Sequence, residues 1–241
     1  MTGSYGSGVD MTSHTSNPTL QSCRSCGGGA PVDVHFCPQC SKILSIGRHG
    51  DYFGFLGLPR KLVVDPVDLE RRFRRLSRQF HPDYFYNATP AERRASLERS
   101  SYLNDAYRTL RLPIDRIEYL LGLEGFGPRS SRDAAKQVPA GLLEEVFALN
   151  EELDEVRELR AAGAPAEGWK ARLERARQPI EARRAVHEAQ LAEWSGRWDA
   201  LVDAGGSEAE RRAVLEALRE RVLERNYINN LLAGIERELN A

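Results

Sequence analysis

Long apolar runs are absent from this sequence of 241 residues, since nowhere do eighteen or more apolar residues follow one another. A transmembrane helix needs about 20 of them, so we expect no membrane span and no membrane partner. The stretch Met1–Ser22 contains neither Lys nor Arg. A secretory signal begins with basic residues and a mitochondrial transit peptide is rich in Arg, so neither is expected. These absences predict a cytoplasmic location.

Excess charge of either sign is also missing. The 34 Lys and Arg residues nearly balance the 35 Asp and Glu residues, which leaves a formal net charge of -1. No overall attraction to nucleic acid is expected from such a balance, and no nucleic-acid partner is predicted. The sequence also lacks a recognisable set of catalytic side chains, and we expect a protein that is not itself an enzyme.

Cysteine does not occur after Cys40, which excludes a disulfide framework for the whole chain. The four cysteines form two C-x-x-C pairs separated by ten residues, namely Cys23, Cys26, Cys37 and Cys40. Four thiolates grouped in this way suit a tetrahedral Zn²⁺ site, and four protein ligands would make the zinc structural. His35 is a less favoured ligand. A redox or disulfide-exchange role for the cysteines is the alternative.

Internal repeats and strand-like alternation are missing outside the cysteine module, whereas apolar residues recur at helical spacing from Asp51 onward. Two stripes predict an antiparallel pair of helices. Their members are Leu69, Phe73, Leu76 and Phe80 in the first helix, and Leu103, Tyr107 and Leu110 in the second. A loop containing His81-Pro82-Asp83 separates them, because a helix rarely continues through the residue before a proline. A short helix is expected to begin at Pro113.

Beyond Pro139 the pattern predicts three helices, one at 142–160, one at 169–202, and one that reaches the C-terminus. Pro179 is expected to kink the second of these helices or to mark its true start. Ser207 and Glu210 have the spacing of a capping box at the start of the third helix. The segment therefore predicts a three-helix bundle.

The predicted fold class is all-α with a small zinc-binding module in front. The expected organisation is a disordered segment at 1–20, a tetracysteine module at 21–47, a helical-hairpin domain at 50–126, a linker at 127–138 and a three-helix domain at 139–241.

The loop motif His81-Pro82-Asp83 lies between a basic helix and a helix that contains Asn104-Asp105-Ala106-Tyr107. The exposed arginines expected on the first helix are Arg71, Arg72, Arg74, Arg75 and Arg78. By themselves they would indicate a solvated helix face. Together with the loop, the segment from about Asp51 to Leu112 resembles the J-domain. That resemblance implies a hairpin that docks on a DnaK-type chaperone through the loop and the arginines, with Asp83 favouring ATP hydrolysis by that partner.

The segments Leu103–Leu110, Arg116–Leu121 and Leu142–Glu155 extend the resemblance, which becomes one to the HscB family over about Asp51–Ala241. Larger members of that family also carry an N-terminal double C-x-x-C module. The resemblance implies a co-chaperone that stimulates a DnaK/HscA-type ATPase and delivers an IscU-type iron–sulfur scaffold to it. A general protein-folding J-domain protein that holds unfolded clients is the alternative. The sequence leaves open whether the chain forms a homodimer.

Two faces of the first bundle helix differ in their expected role. Helical spacing assigns one stripe to the core, formed by Val146, Leu149, Leu153 and Val156. The resemblance implies that the scaffold-binding residues are Leu143, Phe147, Glu151, Glu155 and Tyr227. Two positions depart from the family pattern: Glu144 replaces an apolar contact residue and Ala148 replaces an acidic one. The alternative is that Phe147 and Tyr227 simply pack inside the bundle.

Overall fold

The computed structural model describes residues 20–32, 34–46, 51–127 and 140–240. Nearly all of the segment predicted to be disordered and of the predicted linker lies outside these residues, but Leu20 is described and begins β1. The regular elements are β1 (Leu20–Ser22), β2 (Gly29–Pro31), α1 (Tyr52–Phe55), α2 (Pro66–Phe80), α3 (Pro90–Arg111), α4 (Pro113–Leu123), α5 (Leu143–Ala161), α6 (Ala166–Ala204) and α7 (Glu208–Leu239), with 3₁₀ turns at Pro82–Phe85 and Ala140–Leu142. The predicted all-α class is confirmed.

The chain forms two compact units, each made of two stretches of sequence. The first comprises Met1–Asp51 with Ser77–Tyr102, and the second comprises Tyr52–Leu76 with Leu103–Ala241. The domain boundaries expected from the sequence remain a prediction. None of the helices in the described part of the chain is long and apolar enough to cross a membrane.

In the first unit, β1 and β2 pair antiparallel, with Ser22 opposite Gly29. The unit also contains the end of α2 and the first half of α3, which are joined through Phe80. Its side chain is fully buried, and its carbonyl oxygen accepts hydrogen bonds from the hydroxyls of Ser96 (2.7 Å) and Ser100 (2.9 Å). Two small hydroxyl residues thus let α3 lie close to the last turn of α2.

Helix α3 begins with a capping box that the sequence analysis missed. The hydroxyl and the amide N–H of Thr89 both donate to Glu92 Oε2, at 2.8 and 3.1 Å, and the amide of Glu92 donates to Thr89 Oγ1 at 3.3 Å. This exchange satisfies amide donors that have no partner inside the helix. Pro90 follows at the first helical position, where a missing N–H costs nothing.

In the second unit, the predicted apolar stripes of α2 and α3 face the core. Leu69, Leu76, Leu103 and Leu110 are buried, and the half-buried ring of Phe73 stacks on Tyr107 at a centroid distance of 4.3 Å. The predicted short helix α4 begins at Pro113 and buries its apolar face. The residues that contribute to it are Ile117, Leu120 and Leu121.

Helices α5, α6 and α7 form the predicted bundle around one core. The stripe predicted for α5 is buried there and packs with apolar side chains of α6 and α7, namely Trp169, Leu173, Ile180, Ile228 and Ile235. Helix α6 runs from Ala166 through Pro179, so the proline does not mark its start. Gly205 ends α6 at a φ of 66°, and Ser207 and Glu210 form the predicted capping box of α7.

A loop before α2 is fastened to α6 within the second unit. The carboxylate of Asp199 accepts hydrogen bonds from the amides of Leu62 (2.6 Å) and Val63 (2.9 Å). The indole N–H of Trp198 donates to the carbonyl of Arg60 at 2.8 Å, and Lys61 pairs with Asp203 at 2.5 Å. These residues lie more than 130 positions apart in sequence, so the contacts hold distant parts of the unit together.

Replacing Asp199 with alanine is expected to lower the free energy of unfolding by about 1–3 kcal/mol, because the amide of the buried Leu62 loses its acceptor. Urea denaturation followed by circular dichroism measures the change. Asp203→Ala is the matched control and should cost about 0–1 kcal/mol, since it removes only an ion pair whose carboxylate is exposed. Equal losses in the two variants would contradict the role assigned to Asp199.

Candidate functional site

The four cysteines meet in the first unit. All four sulfur atoms lie within 4.8 Å of one another, with 3.6 Å between the Sγ atoms of Cys23 and Cys40 and 3.7 Å between those of Cys26 and Cys37. A disulfide would bring sulfur atoms to about 2.0 Å. Thiolates around one tetrahedral zinc lie about 3.8 Å apart, given Zn–S bonds of about 2.3 Å. The spacing therefore fits a shared metal ion, and all four predicted ligands are brought together.

The two C-x-x-C pairs have the same backbone conformation. In each, the residue after the second cysteine is left-handed, with φ values of 74° at Gly27 and 57° at Ser41. The amides of these residues donate to the carbonyls of Cys23 and Cys37, at 2.8 and 2.9 Å. The repeated turn directs both thiols of each pair to the same side, which a four-sulfur site requires.

Backbone amides favour the thiolate form at one of the four cysteines. The amides of Cys26 and Ser25 lower the pKa of the Cys23 thiol to about 6, because their N–H groups stabilise the thiolate. Cys23 and Cys37 are buried, whereas Cys26 is exposed. A small apolar core of the two buried cysteines, Ala30 and Leu44 supports the ligands. Cysteine sulfur is a soft donor that suits zinc and similar metals.

The His81-Pro82-Asp83 motif forms an exposed 3₁₀ turn directly after α2. The amide of Asp83 donates to His81 Nδ1 at 3.3 Å, and the amide of Tyr84 donates to the His81 carbonyl at 3.0 Å. The side chain of Asp83 is 85% exposed and that of His81 is 52% exposed. The turn therefore presents both side chains to solvent in a defined local geometry.

Four of the five predicted arginines are exposed on α2, and the fifth is used internally. Arg72 pairs with Asp68 at 2.7 Å and donates to the carbonyl oxygens of Leu56 (3.2 Å) and Gly57 (2.5 Å). The exposed residues are Arg71, Arg74, Arg75 and Arg78. Positions three, four and seven apart share one helix face, so these four residues form a basic face without Arg72.

The predicted scaffold-binding stripe on α5 is exposed. Phe147 has 66% of its surface exposed and Leu143 has 40%. Glu151 and Glu155 are exposed on the same helix. The alternative that Phe147 packs inside the bundle is therefore wrong for this side chain. Tyr227 is half-buried against the bundle core, and its role in binding stays a prediction.

Glu155 already has a partner within the chain. It pairs with Arg172 of α6, whose guanidinium also contacts both oxygens of Glu152, at 2.6 and 3.0 Å. These carboxylates raise the pKa of Arg172, and Arg172 lowers the pKa of Glu152. The two departures from the family pattern, Glu144 and Ala148, line an open groove beside this pair.

No protein-family sequence model matches the chain. Solved structures, in contrast, do match it. The human co-chaperone protein HscB matches with a TM-score of 0.63 and 26% identity, over 90% of this chain and 98% of that chain. The chaperone HscB from Vibrio cholerae matches with a TM-score of 0.53 and 28% identity, over 78% and 96%. The chain has the HscB architecture.

The two comparisons differ in how much of the chain they cover. Residues 51–241 make up less than four fifths of the sequence, so a 90% match to human HscB extends into the residues before Asp51. The resemblance to an HscB form with an N-terminal cysteine module, expected from the sequence, is confirmed by this match and by the four-cysteine cluster.

Sequence reasoning missed Arg172, which borders the α5 stripe, and Arg99, which is buried beside the cysteine module. Arg99 follows Ala95 and Ser96 and precedes Leu103 on the buried face of α3. An arginine in a run of small and apolar positions at helical spacing is a signal of an internal partner. The sequence gives no such signal for Arg172. Its partners lie on α5, and only the packing of α5 against α6 brings them within reach.

The chain is expected to bind one metal ion, and Cys37→Ser is expected to lose it, because three thiolates leave a tetrahedral set incomplete. Elemental analysis of the purified protein measures the metal content. Ser41→Gly is the control and should retain the metal, since glycine adopts the left-handed conformation without steric cost. Equal metal content in wild type and Cys37→Ser would contradict the assignment of the ligands.

Proposed function

We propose that this chain is a J-domain co-chaperone that stimulates the ATPase of a DnaK/HscA-type chaperone and delivers an IscU-type iron–sulfur scaffold to it. The HscB architecture over most of the chain carries the proposal. The exposed His-Pro-Asp turn and the exposed apolar stripe on α5 support it. The chain itself supplies no chemistry in this role. The partner chaperone hydrolyses ATP, and the cytoplasmic location expected from the sequence remains part of the proposal.

The chaperone-facing surface is the turn together with the basic face of α2. Asp83 is the exposed carboxylate of the turn, and Pro82 restricts the backbone on which it is presented. The exposed arginines suit an acidic partner surface, since guanidinium groups make charge-assisted hydrogen bonds with carboxylates. Such charges mainly speed and orient the encounter.

The scaffold-facing surface is the stripe of α5. Phe147 is the expected anchor because large exposed aromatic side chains contribute most at interfaces, and Leu143 extends its apolar surface. Glu151 and Glu155 suit a partner whose apolar patch is bordered by basic residues. Since Arg172 already neutralises part of the charge of Glu155, Glu151 is the stronger attractant for a basic group.

We assign Zn²⁺ to the four-cysteine site. Cys23, Cys26, Cys37 and Cys40 would hold it, and the four thiolates would fill its coordination sphere. Such a zinc holds the module folded and does not activate water. The small apolar core around the cysteines is too limited to stabilise the module alone, which is the usual reason for a structural metal.

Asp83→Asn is expected to abolish ATPase stimulation while leaving scaffold affinity unchanged, because the two surfaces lie on different elements. Steady-state ATP hydrolysis by purified DnaK-family chaperones and a titration of scaffold binding measure the two effects. Loss of both in a folded variant would refute the separation of the surfaces.

Wild-type assays with and without the scaffold distinguish the proposed role from that of a general folding co-chaperone. Synergistic stimulation by the IscU-type scaffold supports cluster assembly. Stimulation that ignores the scaffold and responds to denatured polypeptides would replace this proposal with the folding role.

Phe147→Ala is expected to weaken scaffold binding by about 1–3 kcal/mol without unfolding the bundle, because it removes an exposed anchor and no core contact. Isothermal titration calorimetry gives the dissociation constant. Val186→Ala, which truncates another exposed apolar side chain on α6, is the matched control and should leave binding unchanged. An unaltered constant for Phe147→Ala would remove this residue from the binding site.

A further inference from the structure

A buried arginine connects the cysteine module to α3 within the first unit. Arg99 is only 2% exposed. Its Nε donates to the carbonyl of Leu44 at 2.6 Å and its Nη2 to that of Ser45 at 3.2 Å, while Nη1 lies 2.8 Å from Nδ1 of His35. Burial lowers the pKa of Arg99 to about 10, which reflects the cost of removing the guanidinium from water. The docked module supplies the carbonyls that offset this cost.

The positions of these carbonyls depend on the metal-binding turns. The amide of Cys37 donates to the carbonyl of Lys42 at 2.9 Å, and the amide of Leu44 donates to the carbonyl of His35 at 3.0 Å. Leu44 also packs with Cys23 and Cys37 in the small core. A chain of backbone contacts thus runs from the cysteines to the acceptors of Arg99.

The same docking surface holds the residue that precedes the His-Pro-Asp turn. The buried ring of Phe80 meets the ring of His35 edge-on at 5.0 Å and lies 6.1 Å from that of Phe36. The guanidinium of Arg99 lies over the ring of Phe80 at 5.7 Å. The last turn of α2 is therefore held by the cysteine module as well as by Ser96 and Ser100.

A second contact fastens the module to the start of α3. Lys42 pairs at 2.9 Å with Glu92, the acidic member of the capping box, and this contact contributes to lowering the pKa of Glu92. Lys42 lies two positions after the ligand Cys40. The segment from Phe80 to Glu92, which contains the His-Pro-Asp turn, is thus bounded at both ends by residues that contact the module.

We infer that Arg99 is a positioning residue through which the metal-bound cysteine module holds the His-Pro-Asp turn in its presented form. Loss of the metal releases the Leu44 and Ser45 carbonyls, Arg99 regains water, and Phe80 loses its packing against His35. The turn then samples other conformations. The effect on a partner ATPase rests on the proposed function, whereas the effect on the turn does not.

Hydrogen–deuterium exchange of the full chain tests the coupling without any partner. The reporting amides are those of Tyr84 and Tyr86, which donate to the carbonyls of His81 and Asp83. Removing the metal with a chelator under reducing conditions is expected to speed their exchange about tenfold or more, and Arg99→Met should do the same. Arg99→Lys should restore part of the protection, because an ammonium group can still donate to the carbonyls. Arg108→Met, an exposed site on the same helix, is the matched control and should exchange like wild type.

Coupling is reciprocal, so Arg99→Met should also release its metal faster than wild type in a chelator competition. Unchanged exchange at Tyr84 and Tyr86 in the metal-stripped wild type would overturn the inference, as would unchanged exchange in a folded Arg99→Met variant. If Arg99→Met fails to fold, the test uses the metal-stripped wild type and Arg99→Lys. Unchanged exchange at Tyr84 and Tyr86 in both would then overturn the inference.

An ATPase titration then separates this inference from the proposed function. For Arg99→Met the concentration that gives half-maximal stimulation should rise about tenfold with the maximum retained, because only a fraction of molecules presents the turn. A lower maximum at unchanged half-maximal concentration would contradict a positioning role. If the wild type stimulates no DnaK-type ATPase, the proposed function fails while the exchange result still tests the coupling.

Discussion

The apolar seam between α2 and α3 is the constraint on which the basic face of α2 and the His-Pro-Asp turn depend. Leu69, Leu76, Leu103 and Leu110 bury it in the second unit, and Phe80 buries it in the first. A helix held by one face presents its opposite face to solvent, which is why the basic residues of α2 are exposed. Pro82 ends α2 at Phe80, and the burial of Phe80 fixes the residue after which the exposed turn at His81 begins.

Several buried or half-buried polar groups in the described part of the chain are met by a partner from a distant segment. Arg99 meets carbonyls of the cysteine module, and Asp199 meets the amides of Leu62 and Val63. A polar group that is buried without a partner loses its hydrogen bonds to water, which destabilises the fold. Each of these groups therefore favours the packing arrangement in which its partner is present. The two exposed surfaces, by contrast, carry side chains whose burial would need a partner protein. The polar groups that stabilise the fold are thus distinct from the exposed side chains that are available to bind a partner protein.

Much of the fold could be predicted because it rests on local rules. Helical spacing identified the stripes of α2, α3 and α5, Pro113 marked the start of α4, and Ser207 with Glu210 marked that of α7. The cysteine spacing was enough to predict a shared site, because turn geometry at each pair is set by a few adjacent residues. Pro179 was misleading as a start signal, since packing of Leu173 and Ile180 in the bundle core keeps α6 continuous across it.

The sequence by itself determined most of the helices, the grouping of the four cysteines and the His-Pro-Asp motif, since each follows from spacing along one segment. Tertiary structure alone decided that Arg72 turns inward to Leu56 and Gly57, that Arg172 neutralises Glu155, and that Arg99 joins the cysteine module to α3. A helical arginine such as Arg99 can be recognised as buried from its sequence neighbours, but its partner cannot be identified from the sequence. Its role depends on which distant group lies within hydrogen-bond reach, and only packing determines that.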